Sequence, residues 1–324
     1  MGTKDTKAKE YLSDNGRFAD LCNVVLFQGE QVVKAEELQE MDTTEVLSVF
    51  GTDRKEQHVQ RWRDVLKQAV VRLYGRVYFM IIGAEHQTDV HYAMPVKNML
   101  YDAMSYSRQV NETGRHHREN GEYGSGAEFL SGLHKTDKIK PVITITVYFG
   151  TKNWDGPRCL HDMFEETDER LKKFIPDYHV NLVVPQEMEN FDQFQTTLGE
   201  VLELIKVSEN RKAVKQLFDS NPKYRKMDRE SISAINTFLG TNIPINKEEG
   251  SVSDMCKAWE DQKEEGRQEG RQEGRQEGRI TEIFSSVQDG DYGMERGAQK
   301  LGISEQEFEK RMQEAGFRVP VSAG

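Results

Sequence analysis

The chain has 324 residues, a net charge of −11, 31% charged residues and 36% hydrophobic residues. That length allows one sizeable core plus a smaller appendage, and the low apolar content leaves part of the chain solvated. No run of about 18 apolar residues occurs and residues 1–10 hold no apolar segment, so a soluble, cytoplasmic protein with no membrane span is expected.

The three cysteines, Cys22, Cys159 and Cys256, form no paired motif. Neither a disulfide framework nor a cysteine zinc site is expected. The negative total argues at first against a nucleic-acid partner. Yet residues 51–150 carry 14 Lys and Arg against 11 Asp and Glu, so this segment is +3 and the remainder −14. Six of the eight histidines lie there as well.

In chain order, Phe18, Leu21, Cys22, Val25 and Leu26 recur at helical spacing, predicting a helix over 16–27. Residues 33–58 are charged and read as a surface connection. Residues 65–73 suit a helix or a strand. The strand is favoured, because the apolar run 77–84 has buried-strand length and composition and Tyr74-Gly75 between them suits a turn. Pro95 opens a predicted helix over 95–110, and a polar, Gly-rich excursion fills 111–140. Strands follow at 142–149 and 179–184 with a helix near 160–174 between them, and 190–218 read as helical. Interleaved strands and helices predict an α/β or α+β core with a mixed sheet.

The segment 265–279 repeats Gly-Arg-Gln-Glu every four residues. On a helix this stacks like charges at i, i+4 and spends a glycine per turn, so the isolated segment is weakly helical. It reads either as a linker or as a helix ordered by self-association into a homo-oligomer. Residues 298–308 have a faint helix-turn-helix spacing, but the acidic second half favours a small helical cap over a groove-binding element. The predicted division is 11–250 for the main domain, 251–282 for the repeat segment and 283–324 for a helical C-terminal segment.

The residues with chemical potential cluster at 61–110. Asp64 at the start of one strand and Glu85 at the end of the next converge if the hairpin register is right. Two carboxylates there can hold one Mg²⁺, with the His86 carbonyl as a further ligand, which is the donor set that phosphodiester hydrolysis requires. Gln87 shares the face of Glu85 and can orient water or a phosphate oxygen, whereas the His86 side chain points away on a regular strand. Spacing alone fits a solvated strand end equally well.

Three segments change that balance. Arg61-Trp-Arg-Asp64-Val-Leu, the strand ending Ile-Ile-Gly-Ala-Glu85-His86-Gln87-Thr88, and Met94-Pro95-Val-Lys97-Asn-Met-Leu-Tyr101-Asp102 together resemble the Rpn family of recombination-promoting nucleases. That family is the transposase-like branch of the PD-(D/E)XK enzymes. The resemblance runs from about residue 11 to about 260 and includes Pro141–Gly150 with Trp154. It implies a restriction-endonuclease-like α/β core, a divalent metal (Mg²⁺, with Mn²⁺ as substitute), no small-molecule cofactor, and DNA cleavage.

By position, Asp64 matches the motif aspartate, and Glu85 and Gln87 match Glu-x-Lys with Gln in the lysine place. Asp20 matches an acidic residue that supports the metal, though it also fits a solvated helix face. Lys97 stands where Arg is common and loses its bidentate fork; Tyr101 matches a phosphate contact or a core residue. Arg61, Arg63, Arg72, Lys97, Tyr101 and Arg108 are the expected DNA contacts. Trp154 suits packing on the sheet better than base stacking. With no lysine in the motif, a catalytically weak or inactive DNA-binding or self-associating protein is the alternative.

Overall fold

The computed structural model describes residues 3–47, 59–62, 64–245, 271, 274–275 and 278–319, with backbone alone at 44–47 and 59–62. Contacts divide the chain into two units, 1–258 and 259–324.

In the first unit, α1 (Thr3–Ser13) and α2 (Asn15–Phe27) are followed by short strands β1 (Gln39–Glu40), β2 (Thr44–Leu47) and β3 (Val59–Trp62). Next come β4 (Val65–Leu73), β5 (Arg76–Gln87), α3 (Met94–Asn120), α4 (Gly126–Ser131) and β6 (Val142–Tyr148). The unit continues with α5 (Glu169–Lys172), β7 (Asn181–Val183), α6 (Leu198–Val207), α7 (Arg211–Ser220) and α8 (Arg229–Leu239). Five strands form one mixed sheet in the order β1-β4-β5-β6-β7, while β2 and β3 pair separately. The β1–β4 and β4–β5 pairs are antiparallel, and β5–β6 and β6–β7 are parallel. A parallel neighbour requires a crossover, and α3 supplies it between β5 and β6.

The predicted hairpin is present. Tyr74 and Gly75 both adopt positive φ, 51° and 74°, as a two-residue turn of the I′ class demands. Pairing runs from Leu73↔Arg76 to Val65↔Ala84. Only Ile81–Gln87 of β5 continue into β6, so the turn end projects from the sheet and leaves Tyr74, Val77 and Phe79 at least half exposed.

Several expectations change. The connection 33–58 contains β1 and β2. Helix α3 continues ten residues past 110, to Asn120, where Gly121 at φ 66° caps it. The helix expected near 160–174 reduces to a 3-10 turn and the four-residue α5; Pro176 follows, which disfavours helix at the residue before it. The helical reading of 190–218 starts only at Leu198 and breaks before α7.

Helices α1 and α8, which periodicity did not single out, pack together through Tyr11 and Ser231, whose hydroxyls are 2.7 Å apart. Lys67, buried in β4, ties the sheet to the α1–α2 junction by donating to the Ser13 carbonyl at 2.6 Å and to Asn15 Oδ1. Burial lowers its pKa, with Glu40 pulling the other way.

In the second unit, α9 (278–288), α10 (Met294–Leu301) and α11 (Glu305–Glu314) enclose Phe284, Val287, Ala298, Phe308 and Met312. The described residues of the repeat, Arg271, Gly274, Arg275 and 278–279, are helical; the rest of the repeat lies outside the described residues. No helix among the described residues is long and apolar enough to cross a membrane.

Candidate functional site

Extending the register by one pair beyond Val65↔Ala84 brings Asp64 opposite Glu85, and cross-strand partners share a face of the sheet. Asp64 sits in the bend just before β4 rather than in the strand. Its carboxylate therefore curls over the end of β5, where Oδ2 accepts from the His86 N–H at 3.1 Å and lies 3.0 Å from His86 Nδ1. The Asp64 N–H in turn reaches Glu85 Oε1 at 3.4 Å. Burial pushes the Asp64 carboxyl up, but the His86 contacts and the Lys97 charge outweigh it and hold the group below its ordinary value.

Glu85 is 1% exposed and would be costly as a charge without a cation. Lys97 supplies one: Nζ lies 2.9 Å from Glu85 Oε2. The position of Lys97 depends on how α3 is fastened to β6. Asn98 donates to Thr146 Oγ1 at 2.8 Å, Thr144 donates to Asp102 Oδ1 at 2.5 Å, and Tyr178 donates to Asp102 Oδ2 at 2.6 Å. Thr146 is the strand partner of Glu85 and Thr144 that of Gly83. The buried polar pins therefore hold the first turns of α3 directly over the carboxylates.

A family profile described as "Putative transposase, YhgA-like" matches residues 55–230, more than half of the chain. The chain belongs to this family. No curated protein and no solved structure matches it. The YhgA-like match contains Asp64, Glu85, Gln87 and Lys97, and agrees with the family that the sequence motifs resemble. It is narrower than the span of about 11–260 and leaves Asp20 outside.

Asp20 is buried, and its oxygens accept from the N–H groups of Gln195 and Thr196, at 3.0 and 2.7 Å, and from Thr196 Oγ1 at 2.6 Å. It thus fastens the segment before α6 to α2, and the structure does not bring it to Asp64 and Glu85. Among the described residues, sets of three ligand-type side chains within 4.8 Å occur only at His117–His134–Asp137 and Cys159–Asp177–His179. Asp64 and Glu85 each offer carboxylate oxygens of the kind that could bind Mg²⁺, an ion commonly held by one or two carboxylates with water and substrate phosphate completing its shell.

The remaining expected residues divide. Gln87 Nε2 donates to the His86 carbonyl at 2.5 Å, so that carbonyl already has a partner. Strand alternation turned His86 away from the pair, yet Asp64 reaches its ring from outside the strand. Tyr101 is buried, with Lys97 Nζ 5.9 Å from its ring centre. Arg72 is half exposed and paired with Glu37, far down the hairpin. Arg108 donates to the Asp42 carbonyl at 3.1 Å. Arg61 lies on β3 with its side chain outside the described residues, as is all of Arg63.

Trp154 packs edge-on against Tyr148 and donates to the Gly156 carbonyl. Asn98 and Asp102 were not read from sequence as functional. Their signal is a polar i, i+4 pair, continued by Ser105, on the buried face of the helix, opposite the i, i+2 pair Thr144 and Thr146.

Proposed function

We propose that the chain is a metal-dependent DNA endonuclease with a PD-(D/E)XK-type core, acting as a cytoplasmic recombination-promoting, transposase-like nuclease. The observation that carries the reading is the opposed pair Asp64 and Glu85 at one end of the β4–β5 hairpin, with Lys97 of α3 on Glu85.

Asp64 and Glu85 are the residues that would hold Mg²⁺ or Mn²⁺. The ion supplies charge neutralisation at the scissile phosphate and a lowered pKa for water. His86 keeps the Asp64 carboxylate ionised and oriented. Gln87, whose amide donates to the His86 carbonyl, would turn that amide towards water or a phosphate oxygen when substrate binds. Lys97 provides from the helix the positive charge that the strand motif lacks, and it answers the chief objection to catalysis in the sequence. Exposed Arg72, with Arg61, Arg63 and Arg108, would hold the DNA backbone without reading bases, and the repeat would serve self-association.

Purified protein should nick supercoiled plasmid with Mg²⁺ or Mn²⁺, and Asp64→Ala and Glu85→Ala should each abolish nicking while retaining the circular-dichroism spectrum. Undiminished cleavage in either variant, with contaminating nuclease excluded, refutes the assignment. One observation favours a non-enzymatic DNA-binding or self-associating module instead: both carboxylates already have partners within the chain, His86 and Lys97. Calorimetry separates the two, because the enzyme should bind Mg²⁺ in the presence of DNA and the inert module should not.

A further inference from the structure

The polar excursion after residue 110 brings His134 against His117 at the end of α3. The end of α3 and the segment behind it fold onto each other: Tyr123 donates to the Gly114 carbonyl at 2.8 Å, and a Cβ on Gly114 would stand 3.1 Å from the Gly132 carbonyl. This closure stacks His117 of α3 on His134, with ring centres 3.8 Å apart and a 25° tilt.

Each ring has one nitrogen committed to an oxygen of Glu122. His117 Nδ1 is 2.8 Å from the carboxylate and His134 Nε2 is 2.8 Å from the backbone carbonyl. That assignment directs His117 Nε2 and His134 Nδ1 elsewhere. Asp137 is there, with Oδ2 2.9 Å from His117 Nε2 and accepting from the His134 N–H at 2.7 Å. One ligand atom from each of the three side chains lies within 4.8 Å of the other two.

We propose that His117 Nε2, His134 Nδ1 and the Asp137 carboxylate form a Zn²⁺ site, separate from Asp64 and Glu85, that clamps the excursion to the end of α3. Two imidazoles and a carboxylate are a donor set that zinc centres use, and three protein ligands leave a fourth tetrahedral position. Metal-binding histidines characteristically give their second N–H to a carboxylate or a backbone carbonyl, and Glu122 supplies one of each. Ligands at Zn distances of about 2.0–2.1 Å stand roughly 3.3 Å apart in a tetrahedron. The ion therefore replaces the proton now shared by His117 and Asp137 with a sub-ångström separation of that pair and a wider tilt between the two rings.

The test uses the full chain, stripped with chelator and titrated with Zn²⁺ in a calorimeter, with Co²⁺ as a spectroscopic substitute. One equivalent should bind, and it should remain in the Asp64→Ala/Glu85→Ala double variant, which keeps this site distinct from the proposed nuclease centre. The equivalent should be lost in His134→Ala and Asp137→Asn. Glu122→Gln, at a largely exposed carboxylate, should weaken binding by about 10–100-fold and serves if the other variants fail to fold. No zinc uptake by the wild-type chain, its loss with Asp64 and Glu85, or unchanged affinity in the His134, Asp137 or Glu122 variants overturns the proposal.

Discussion

The contact between Lys97 and Glu85 can be weighed by a double-mutant cycle. At 2.9 Å and an effective dielectric near 20, two unit charges attract by about 6 kcal/mol. Desolvation takes back a large part of that, chiefly on the 1% exposed carboxylate and less on the 27% exposed ammonium, leaving a coupling of roughly 2–3 kcal/mol. Lys97→Met strands a buried carboxylate and should cost about 3 kcal/mol, while Glu85→Gln strands a lysine that still reaches solvent and should cost less. The Lys97→Met/Glu85→Gln double variant contains neither charge and should be more stable than Lys97→Met alone. Urea unfolding followed by tryptophan fluorescence reads all four proteins. Additivity of the two single changes within about 0.5 kcal/mol would refute the pair as an interacting unit and, with it, the role given to α3 in organising the carboxylates. In the plasmid assay, Lys97→Met should remove nicking and Lys97→Arg should retain part of it.

Three further outcomes follow from local geometry. Tyr74→Asn should stabilise the hairpin by about 1 kcal/mol in thermal unfolding, because Asn tolerates positive φ where Tyr is strained; a loss of stability would contradict the turn. Asp228 accepts from Ser231 N–H and Oγ, Thr197 and Arg17. Burial pushes its carboxyl up, but the Thr197 and Ser231 bonds outweigh it and hold the pKa below 3.8. A depressed folded pKa contributes stability that is complete above the ordinary value and is lost as pH falls through the folded one, so the stability gap between the wild type and Asp228→Asn should narrow on acidification below about 3.8. A gap independent of pH would be the contrary result. In the second unit, a Cβ at Gly297 would meet Phe308 Cζ at 2.6 Å and Val287 Cγ2 at 2.9 Å. Gly297→Ala should therefore destabilise that unit by about 1–3 kcal/mol, measurable as faster amide exchange over α9–α11, and unaltered exchange would show that the helices accommodate the methyl.

The hairpin was legible because its turn and its apolar run are both local signals, and those two features also set Asp64 opposite Glu85. What was not legible depends on partners distant in sequence. Helix α1 buries only Ala8, Tyr11 and Leu12, a single turn of periodicity inside a charged segment. Around 160–174, Leu171, Phe174 and Ile175 imitate a buried helix face, yet all three are exposed. Lys97 read as a weakened phosphate ligand, since nothing in the sequence indicates that β6 hydroxyls pin α3 over Glu85. Asp20 showed the reverse: an acidic residue beside an apolar stripe invites a metal role, but the backbone of residues 195–196, 175 positions away, takes its oxygens.

The two-residue turn at Tyr74-Gly75 acts on the carboxylates from the far end of the ladder. Nine paired positions separate it from Asp64 and Glu85, roughly 30 Å at strand rise. Because side chains alternate strictly, one residue added to the turn would either bulge out locally or shift β5 along β4 by one place. In the second case Glu85 passes to the opposite side of the sheet, and a neighbour, Ala84 or His86 by the direction of the slip, arrives where the carboxylate had been. The loop thus counts residues for a chemistry it never touches, and tolerance of its length is a measure of how firmly β6 and α3 grip β5 independently of β4.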